Sequence, residues 1–200
     1  LKEETIFKIT KDEYEELKEH GRKRVLAFKP EADKRSEKGF INARRGKRIP
    51  AQEVPELKPK IILRVLKRGE EKEGAKFDAL FFSEVQFFPA KGFGFFEVID
   101  RLLDMGYDIY AEGLAFNFRK LPFGATHQLM LLCPFNFEWR MSKCVKCGSR
   151  KAELPQRLVG GKPAPANSPE ILIDDPTQKP YEARCRKCHE LPKPSRKRKK

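Results

Sequence analysis

The 200-residue chain has no stretch that is both long enough and apolar enough to cross a membrane. Its Phe-rich run over residues 77–96 is interrupted by Asp78, Glu84 and Lys91. No signal-peptide pattern is visible, although Leu1 is not a methionine and we expect the natural start to lie upstream of it. These absences argue against a membrane protein.

The sequence also lacks any segment of the form Gly-x-x-x-x-Gly-Lys-Ser/Thr. In that pattern, the P-loop, the backbone N–H groups of a Gly-rich turn cradle the phosphates of a nucleotide. The printed residues therefore contain no recognisable P-loop.

Acidic residues are too few to balance the basic ones, and the formal net charge is +14. The excess lies at the two ends, because residues 1–50 carry a net +5 and residues 151–200 a net +7. Residues 193–200 hold six cations, and such a run repels itself into an extended arm.

This charge pattern predicts a nucleic-acid partner, RNA rather than DNA, within a larger assembly, because each neutralised phosphate releases counterions. A merely solubilising tail is the alternative. The predicted phosphate contacts are Arg22, Lys23, Arg24, Arg44, Arg45, Lys47, Arg48, Arg196, Lys197, Arg198, Lys199 and Lys200.

Four of the five cysteines form two Cys-x-x-Cys pairs, Cys144 with Cys147 and Cys185 with Cys188. Two such pairs predict a tetrahedral four-thiolate site for Zn²⁺, with two disulfides as the alternative. Thiolates of this kind indicate a reducing compartment, either the cytoplasm or an organelle matrix. We expect the Gly- and Pro-rich stretch 148–184 to be a long loop pinned at its base by the metal. The remaining Cys133 lies beside an apolar run and is expected in the core.

Strand-like and helix-like patterns alternate along the first 115 residues, which predicts an α/β fold with a parallel sheet flanked by helices. In such sheets, functional groups gather at the carboxyl ends of the strands, here near Lys29, Ser83 and residues 113–115. The apolar run 61–66 fits either a helix or a strand. The predicted strands cover residues 5–9, 24–28, 79–82 and 109–114, and the predicted helices cover residues 10–21 and 98–105.

Several separated segments together resemble the zinc-lasso type of thymidine kinase, a family of P-loop deoxynucleoside kinases. Residues 83–88 (Ser-Glu-Val-Gln-Phe-Phe) are similar to that family's Asp-Glu-x-Gln-Phe-Phe, and residues 113–124 are similar to its Gly-Leu-Asp-x-Asp-Phe-Arg-x-x-Pro-Phe-Gly. Residues 28–36 resemble its second strand and loop, and residues 156–185 match its lasso segments in order.

The resemblance implies a P-loop-kinase-like sheet over residues 1–142, a small zinc-bound lasso domain over 143–190 and a basic tail over 191–200. It implies that Glu84 takes the proton from the nucleoside 5′-hydroxyl and that Phe118, Arg119 and Tyr181 contact the nucleoside. An active member would use ATP and Mg²⁺, and a homo-tetramer is the family's common assembly.

The chain departs from the family's pattern at the metal carboxylates, where Ser83, Ala115 and Asn117 each replace an aspartate. These losses favour a degenerate member that no longer transfers phosphate and serves as a basic, zinc-stapled subunit of a nucleoprotein assembly such as a ribosome or polymerase complex. One alternative is an active thymidine kinase with its P-loop upstream of Leu1. The other is a nucleoside sensor that binds without turnover.

Overall fold

The computed structural model describes residues 6–7, 24–42, 48–90, 94–133, 136–172 and 180–192. These form two compact units. The first comprises residues 1–114 and 123–138, and the second comprises residues 115–122 and 139–200. The predicted division into a core domain that ends at residue 142 and a lasso domain that follows it stays a prediction. The structure adds that the short segment 115–122 belongs with the second unit. Among the described residues, no helix combines the length and apolar character that a membrane span requires.

The first unit is built on a five-stranded, wholly parallel sheet with the strand order β1-β7-β6-β2-β5. The central strand β6 is buried at every position, as expected for a strand covered on both faces. This confirms the predicted α/β class. The strands are β1 (Ile6–Phe7), β2 (Val25–Pro30), β5 (Gln52–Val54), β6 (Ala79–Phe82) and β7 (Asp108–Ala111), and a separate hairpin joins β3 (Phe40–Asn42) to β4 (Arg48–Pro50).

Three helices of the first unit are described: α1 (Ile61–Glu73), α2 (Gly94–Asp104) and α3 (Thr126–Leu132). The ambiguous run at 61–66 is therefore the first half of a helix, and this helix stops at Gly74, which adopts the left-handed conformation. The predicted helix at 98–105 is confirmed and begins four residues earlier, while the predicted helix at 10–21 lies outside the described residues.

The two faces of the sheet bury separate apolar clusters. The larger cluster joins Phe28, Leu80 and Phe82 of the strands to the inner sides of all three helices, and it includes Cys133, as predicted. The smaller cluster lies on the opposite face and joins Phe81 to the β3–β4 hairpin. Because neighbouring residues of a strand point to opposite faces, Phe81 and Phe82 serve different clusters.

The second unit contains a three-stranded antiparallel sheet with the order β10-β8-β9. Its strands are β8 (Ala152–Val159), β9 (Lys162–Pro163) and β10 (Tyr181–Cys185). The expectation of one long loop over 148–184 was therefore wrong for residues 152–163 and 181–184, which form these strands and the turn between β8 and β9. Gly160 and Gly161, both at positive φ, make the tight turn between β8 and β9, and this Gly-Gly pair is a hairpin signal in the sequence.

Candidate functional site

The four paired cysteines converge at one end of the second unit. Their sulfur atoms all lie within 4.8 Å of one another, and none is in a disulfide. The Cys147 and Cys185 sulfurs are 3.7 Å apart, close to the roughly 3.8 Å edge of a tetrahedron with metal–sulfur bonds of about 2.3 Å. The sequence prediction of one clustered four-cysteine site is thus confirmed, and the donor set and its spacing suit zinc.

Each Cys-x-x-Cys pair is shaped by a tight turn that aims both sulfurs at the same point. Gly148, at φ +75°, donates its N–H to the carbonyl of Cys144, and the N–H of Cys188 is donated to the carbonyl of Cys185. Burial raises the pKa of the Cys144 thiol, but hydrogen bonds from backbone N–H groups outweigh this and lower the pKa to about 6. The pKa of the neighbouring Cys188 thiol moves the other way, to about 12, chiefly because its side chain is hydrogen-bonded to Cys147. Of these two thiols, Cys144 is therefore the one favoured to lose its proton and give the thiolate form that binds metal.

The second cluster of functional groups lies in the first unit, at the carboxyl end of β6, and it centres on Glu84. Glu84 begins a short 3₁₀ turn (Val85–Phe87) and has a left-handed backbone with φ 56°, which is uncommon for a residue other than glycine. Its two carboxylate oxygens are held separately. Arg35 lies 2.7 Å from Oε1, and the Gln86 amide donates a 2.7 Å hydrogen bond to Oε2. An unusual backbone conformation kept by several contacts is a common property of functional sites.

Arg35 links Glu84 to a second carboxylate on the loop after β2. Its Nε atom donates to Oδ1 of the buried Asp33 at 2.7 Å. Burial would lower the pKa of the Arg35 guanidinium, but the negative charges of Glu84 and Asp33 outweigh it and raise this pKa above its usual value. The arginine therefore stays charged between two acidic groups.

The loop that carries Asp33 and Arg35 is held in place by Lys29, whose side chain is fully buried. The Lys29 ammonium donates hydrogen bonds to the carbonyls of Asp33, Ser36 and Glu37 and lies 3.3 Å from the Glu53 carboxylate. A buried cation with four oxygen partners fixes a loop in one conformation, because moving the loop would leave the charge unpaired.

A further carboxylate stands beside Ser83, the residue that replaces the family's aspartate. The buried Ser83 hydroxyl donates to Oε1 of Glu112 at 2.7 Å. Glu112 directly follows β7, and the backbone N–H of Glu112 bonds to the carbonyl of Phe82. Sequence reasoning did not single out Glu112, although an acidic residue just after a buried strand is a usable signal.

Two glycines allow the chain to close around Gln86. A Cβ atom at Gly124, which has φ +50°, would lie 1.9 Å from the Gln86 carbonyl oxygen, and a Cβ at Gly113 would lie 2.8 Å from the Gln86 amide oxygen. The same amide oxygen accepts the N–H of Leu114. The predicted motif residues 86, 113 and 124 thus form one packed support behind Glu84.

The predicted nucleoside contacts lie in the second unit, where Phe118 and Arg119 share one cluster. Phe118 is buried, with the guanidinium carbons of Arg119 and Arg157 at 4.2 and 5.4 Å from its ring centre. The Arg119 guanidinium donates to the carbonyls of Ala166 and Ser168. Arg119 thus fastens the loop after β9.

Asn117 and Tyr181 complete this part of the second unit. The Asn117 amide donates a 2.6 Å hydrogen bond to the Glu170 carboxylate, and its carbonyl oxygen accepts the N–H groups of Arg119 and Leu121. Tyr181 opens β10 opposite Arg157 and is partly exposed. Contact of Phe118, Arg119 and Tyr181 with a nucleoside stays a prediction.

Two of the predicted phosphate contacts lie in the described residues. Arg24 is 3.6 Å from Asp78, and Arg48 pairs with Glu37 and lies over the ring of Phe40. Each therefore already has an acidic neighbour. The other predicted contacts, Arg22, Lys23, Arg44, Arg45, Lys47, Arg196, Lys197, Arg198, Lys199 and Lys200, lie outside the described residues.

Comparison with known proteins identifies one family. The thymidine kinase family profile matches residues 12–189. A thymidine kinase of Mycoplasma capricolum is 36% identical over 176 residues, which cover 87% of this chain and 78% of that protein. A thymidine kinase of Thermococcus kodakarensis is 34% identical over 86% of this chain and 81% of its own length, and one of Mesoplasma florum is 32% identical over 92% and 86%.

Proposed function

Because the chain belongs to the thymidine kinase family, we propose that the protein binds thymidine and promotes phosphoryl transfer to its 5′-hydroxyl, with Glu84 as the general base. The observation that carries this proposal is the rigid placement of Glu84, whose two oxygens are oriented by Arg35 and Gln86. A carboxylate held in a fixed direction suits proton abstraction, which depends on geometry first. Arg35 adds a positive charge next to the base, where negative charge develops on a transferring phosphoryl group.

Glu112 supports activity despite the loss of aspartate at position 83. Its carboxylate is hydrogen-bonded to the Ser83 hydroxyl. The carboxyl ends of the paired strands β6 and β7 therefore still carry a negative charge, which comes from the residue after β7 rather than from the residue after β6. Oxygen donors of this kind, with Asp33 nearby on the β2 loop, are chemically suited to Mg²⁺, which usually takes only one or two protein carboxylates. When bound, this ion neutralises charge on the phosphates.

No segment of this sequence has the P-loop pattern that would hold the phosphate donor. The chain's own contribution is the acceptor side of the reaction. Arg35 and Gln86 orient the base, and Lys29 fixes the loop that carries Arg35. Loss of transfer, which the sequence favours, is the second candidate function, and the replacement of aspartate by Ser83 is the observation that supports it.

We also propose that the four-cysteine site holds structural Zn²⁺. A closed four-thiolate shell leaves no open position for a substrate. The metal would join the turn at Cys144, which precedes β8, to the end of β10 at Cys185. Its contribution is therefore to the folding of the second unit.

The test is a thymidine phosphorylation assay with ATP and Mg²⁺, made on the protein expressed from its natural start codon. We expect wild-type protein to form thymidine monophosphate and E84Q to lower kcat by about 10²–10⁴-fold with little change in thymidine affinity. The matched control is E97Q, which changes an exposed glutamate of α2 and should leave kcat unaltered.

Calorimetric titration with thymidine separates the remaining outcomes. Binding without phosphorylation would reject the kinase and favour a nucleoside-binding protein without turnover. Absence of both binding and phosphorylation would reject the nucleoside proposal in each form.

A further inference from the structure

The second unit carries a partly exposed aromatic pair that the proposed kinase chemistry does not use. Phe116 and Trp139 stack with their ring centres 6.1 Å apart and their planes at 17°, and Trp139 is 42% exposed. The position of Phe116 is fixed because its backbone is bridged to Pro122. We call Phe116 and Trp139 the aromatic pair.

A cationic side chain lies against this pair. The guanidinium carbon of Arg186 is 6.0 Å from the centre of the Phe116 ring, and Arg186 is oriented by a 2.5 Å ion pair with Glu153. Arg186 and Lys187 are the two residues between the metal-site cysteines of the second pair. The turn that carries the second cysteine pair therefore also carries two exposed cations, of which Arg186 lies against the aromatic pair.

The charge of the whole unit has the same sign. Its described residues include twelve lysines and arginines, four glutamates and no aspartate. Lys143 and Lys151 flank the backbone bridge between Ser142 and Ala152, only a few residues from Trp139, and both are exposed. An aromatic surface on a unit with an excess of positive charge complements a partner with flat apolar faces and a negative backbone.

We propose that the aromatic pair and the surrounding cations form a binding surface for single-stranded nucleic acid. Unpaired bases stack on Trp139, and the phosphates lie against Arg186, Lys187 and the lysines at 143 and 151. Single strands are specified because the faces of paired bases are already stacked in a duplex. This surface is independent of Glu84 and goes beyond the proposed kinase function.

The chain offers a direct reporter for this surface, since Trp139 is its only tryptophan. Titration of the full chain with a 12-nucleotide oligo(U) should quench tryptophan fluorescence. The association constant should fall with salt, with a slope of about 0.7 in log K against log salt for each phosphate contacted. A chain lacking residues 193–200 should bind more weakly but show the same quenching, which separates the surface from the basic tail.

Variants test the role of the ring by anisotropy of a labelled oligo(U). We expect W139A to weaken binding about 5- to 100-fold and W139F to restore most of it, because stacking requires the ring rather than the indole N–H. K187Q should lower the slope of log K against log salt by about 0.7, because one phosphate contact is lost. The control is L131A, which changes a 75% exposed side chain of the first unit and should leave binding unaltered.

Two results would overturn the proposal. One is wild-type affinity in W139A with unchanged salt dependence, which would assign binding to the tail or another basic surface. The other is equal or tighter binding of a 12-base-pair duplex, which would show that stacking on exposed bases is not used.

Discussion

Replacing Asn117 with aspartate should destabilise the second unit although the side chain keeps its size. In the wild-type protein the Asn117 amide donates to Glu170 at 2.6 Å, while its carbonyl oxygen accepts two backbone N–H groups. The introduced aspartate would keep the two backbone bonds but turn the third contact into a meeting of two carboxylates. The change therefore acts mainly on the contact between residues 117 and 170.

The expected magnitude follows from two contributions. A hydrogen bond to a charged acceptor contributes about 1.5–3 kcal/mol. Two ionised carboxylates about 4 Å apart repel by roughly 4 kcal/mol at an effective dielectric constant of 20. Glu170 is exposed and can turn away into water, which removes most of the repulsion. We therefore expect N117D to lower the free energy of unfolding by about 2–3 kcal/mol at pH 7.

The assay is urea unfolding followed by the fluorescence of Trp139, the only tryptophan, which lies in the second unit. The double variant N117D/E170Q provides the matched control, because the amide of the introduced glutamine can donate to the introduced aspartate and re-form the bond in the opposite direction. E170Q alone should lower the free energy of unfolding by less than about 1 kcal/mol. Equal stability of N117D and wild type, or failure of E170Q to rescue N117D, would refute the role given to this pair.

Three further changes test other parts of the structure. G124A should destabilise the first unit by more than about 3 kcal/mol in thermal unfolding, because its Cβ would lie 1.9 Å from the carbonyl oxygen of Gln86. The control G160A has the same sign of φ but open space around the Cβ, so it should lower the stability by only about 1–2 kcal/mol. Similar losses of stability in the two variants would contradict the packing argument. K29M should make the loop after β2 more mobile, because the loop carbonyls lose the ammonium to which they are hydrogen-bonded, and amide hydrogen exchange in this loop should become faster. Unchanged exchange would show that the buried ammonium does not fix the loop. Metal analysis should find one zinc per chain. The C185S substitution or a strong chelator should unfold the second unit before the first. If the second unit kept its protection against amide hydrogen exchange without metal, the metal would have no role in its folding.

The fold of the first unit was predictable because its signals are local. Residues 79–82 are apolar at every position, which is typical of a central parallel strand, and the structure buries all four. The run at 61–66 was ambiguous because a short apolar run fits a buried strand and a helix equally well. It forms a helix because Ile62 and Leu66 contact the core four residues apart.

The second unit was harder to predict because its pairing is distant in the sequence. Strand β10 pairs with β8 across the Gly- and Pro-rich connection, and no local pattern specifies such a partner. The same limit affected the site. Asn117 was interpreted as a lost metal carboxylate, whereas its partner Glu170 lies 53 residues away and explains the amide. Glu84 was predicted from its motif, but its ion pair with Arg35 joins separate elements and only the structure shows it.

The assignment of residues 115–122 to the second unit limits how this protein can be divided. The chain leaves the first unit after Leu114, returns at Phe123 and leaves it again after Glu138. No single cut therefore separates the units, and a gene truncated at the second crossing would still encode Phe118 and Arg119 without the loop and strand they contact. The second unit cannot be exchanged between relatives as one uninterrupted segment. A working chimera would have to carry both pieces, so recombination and engineering must treat the eight-residue insert as part of the module.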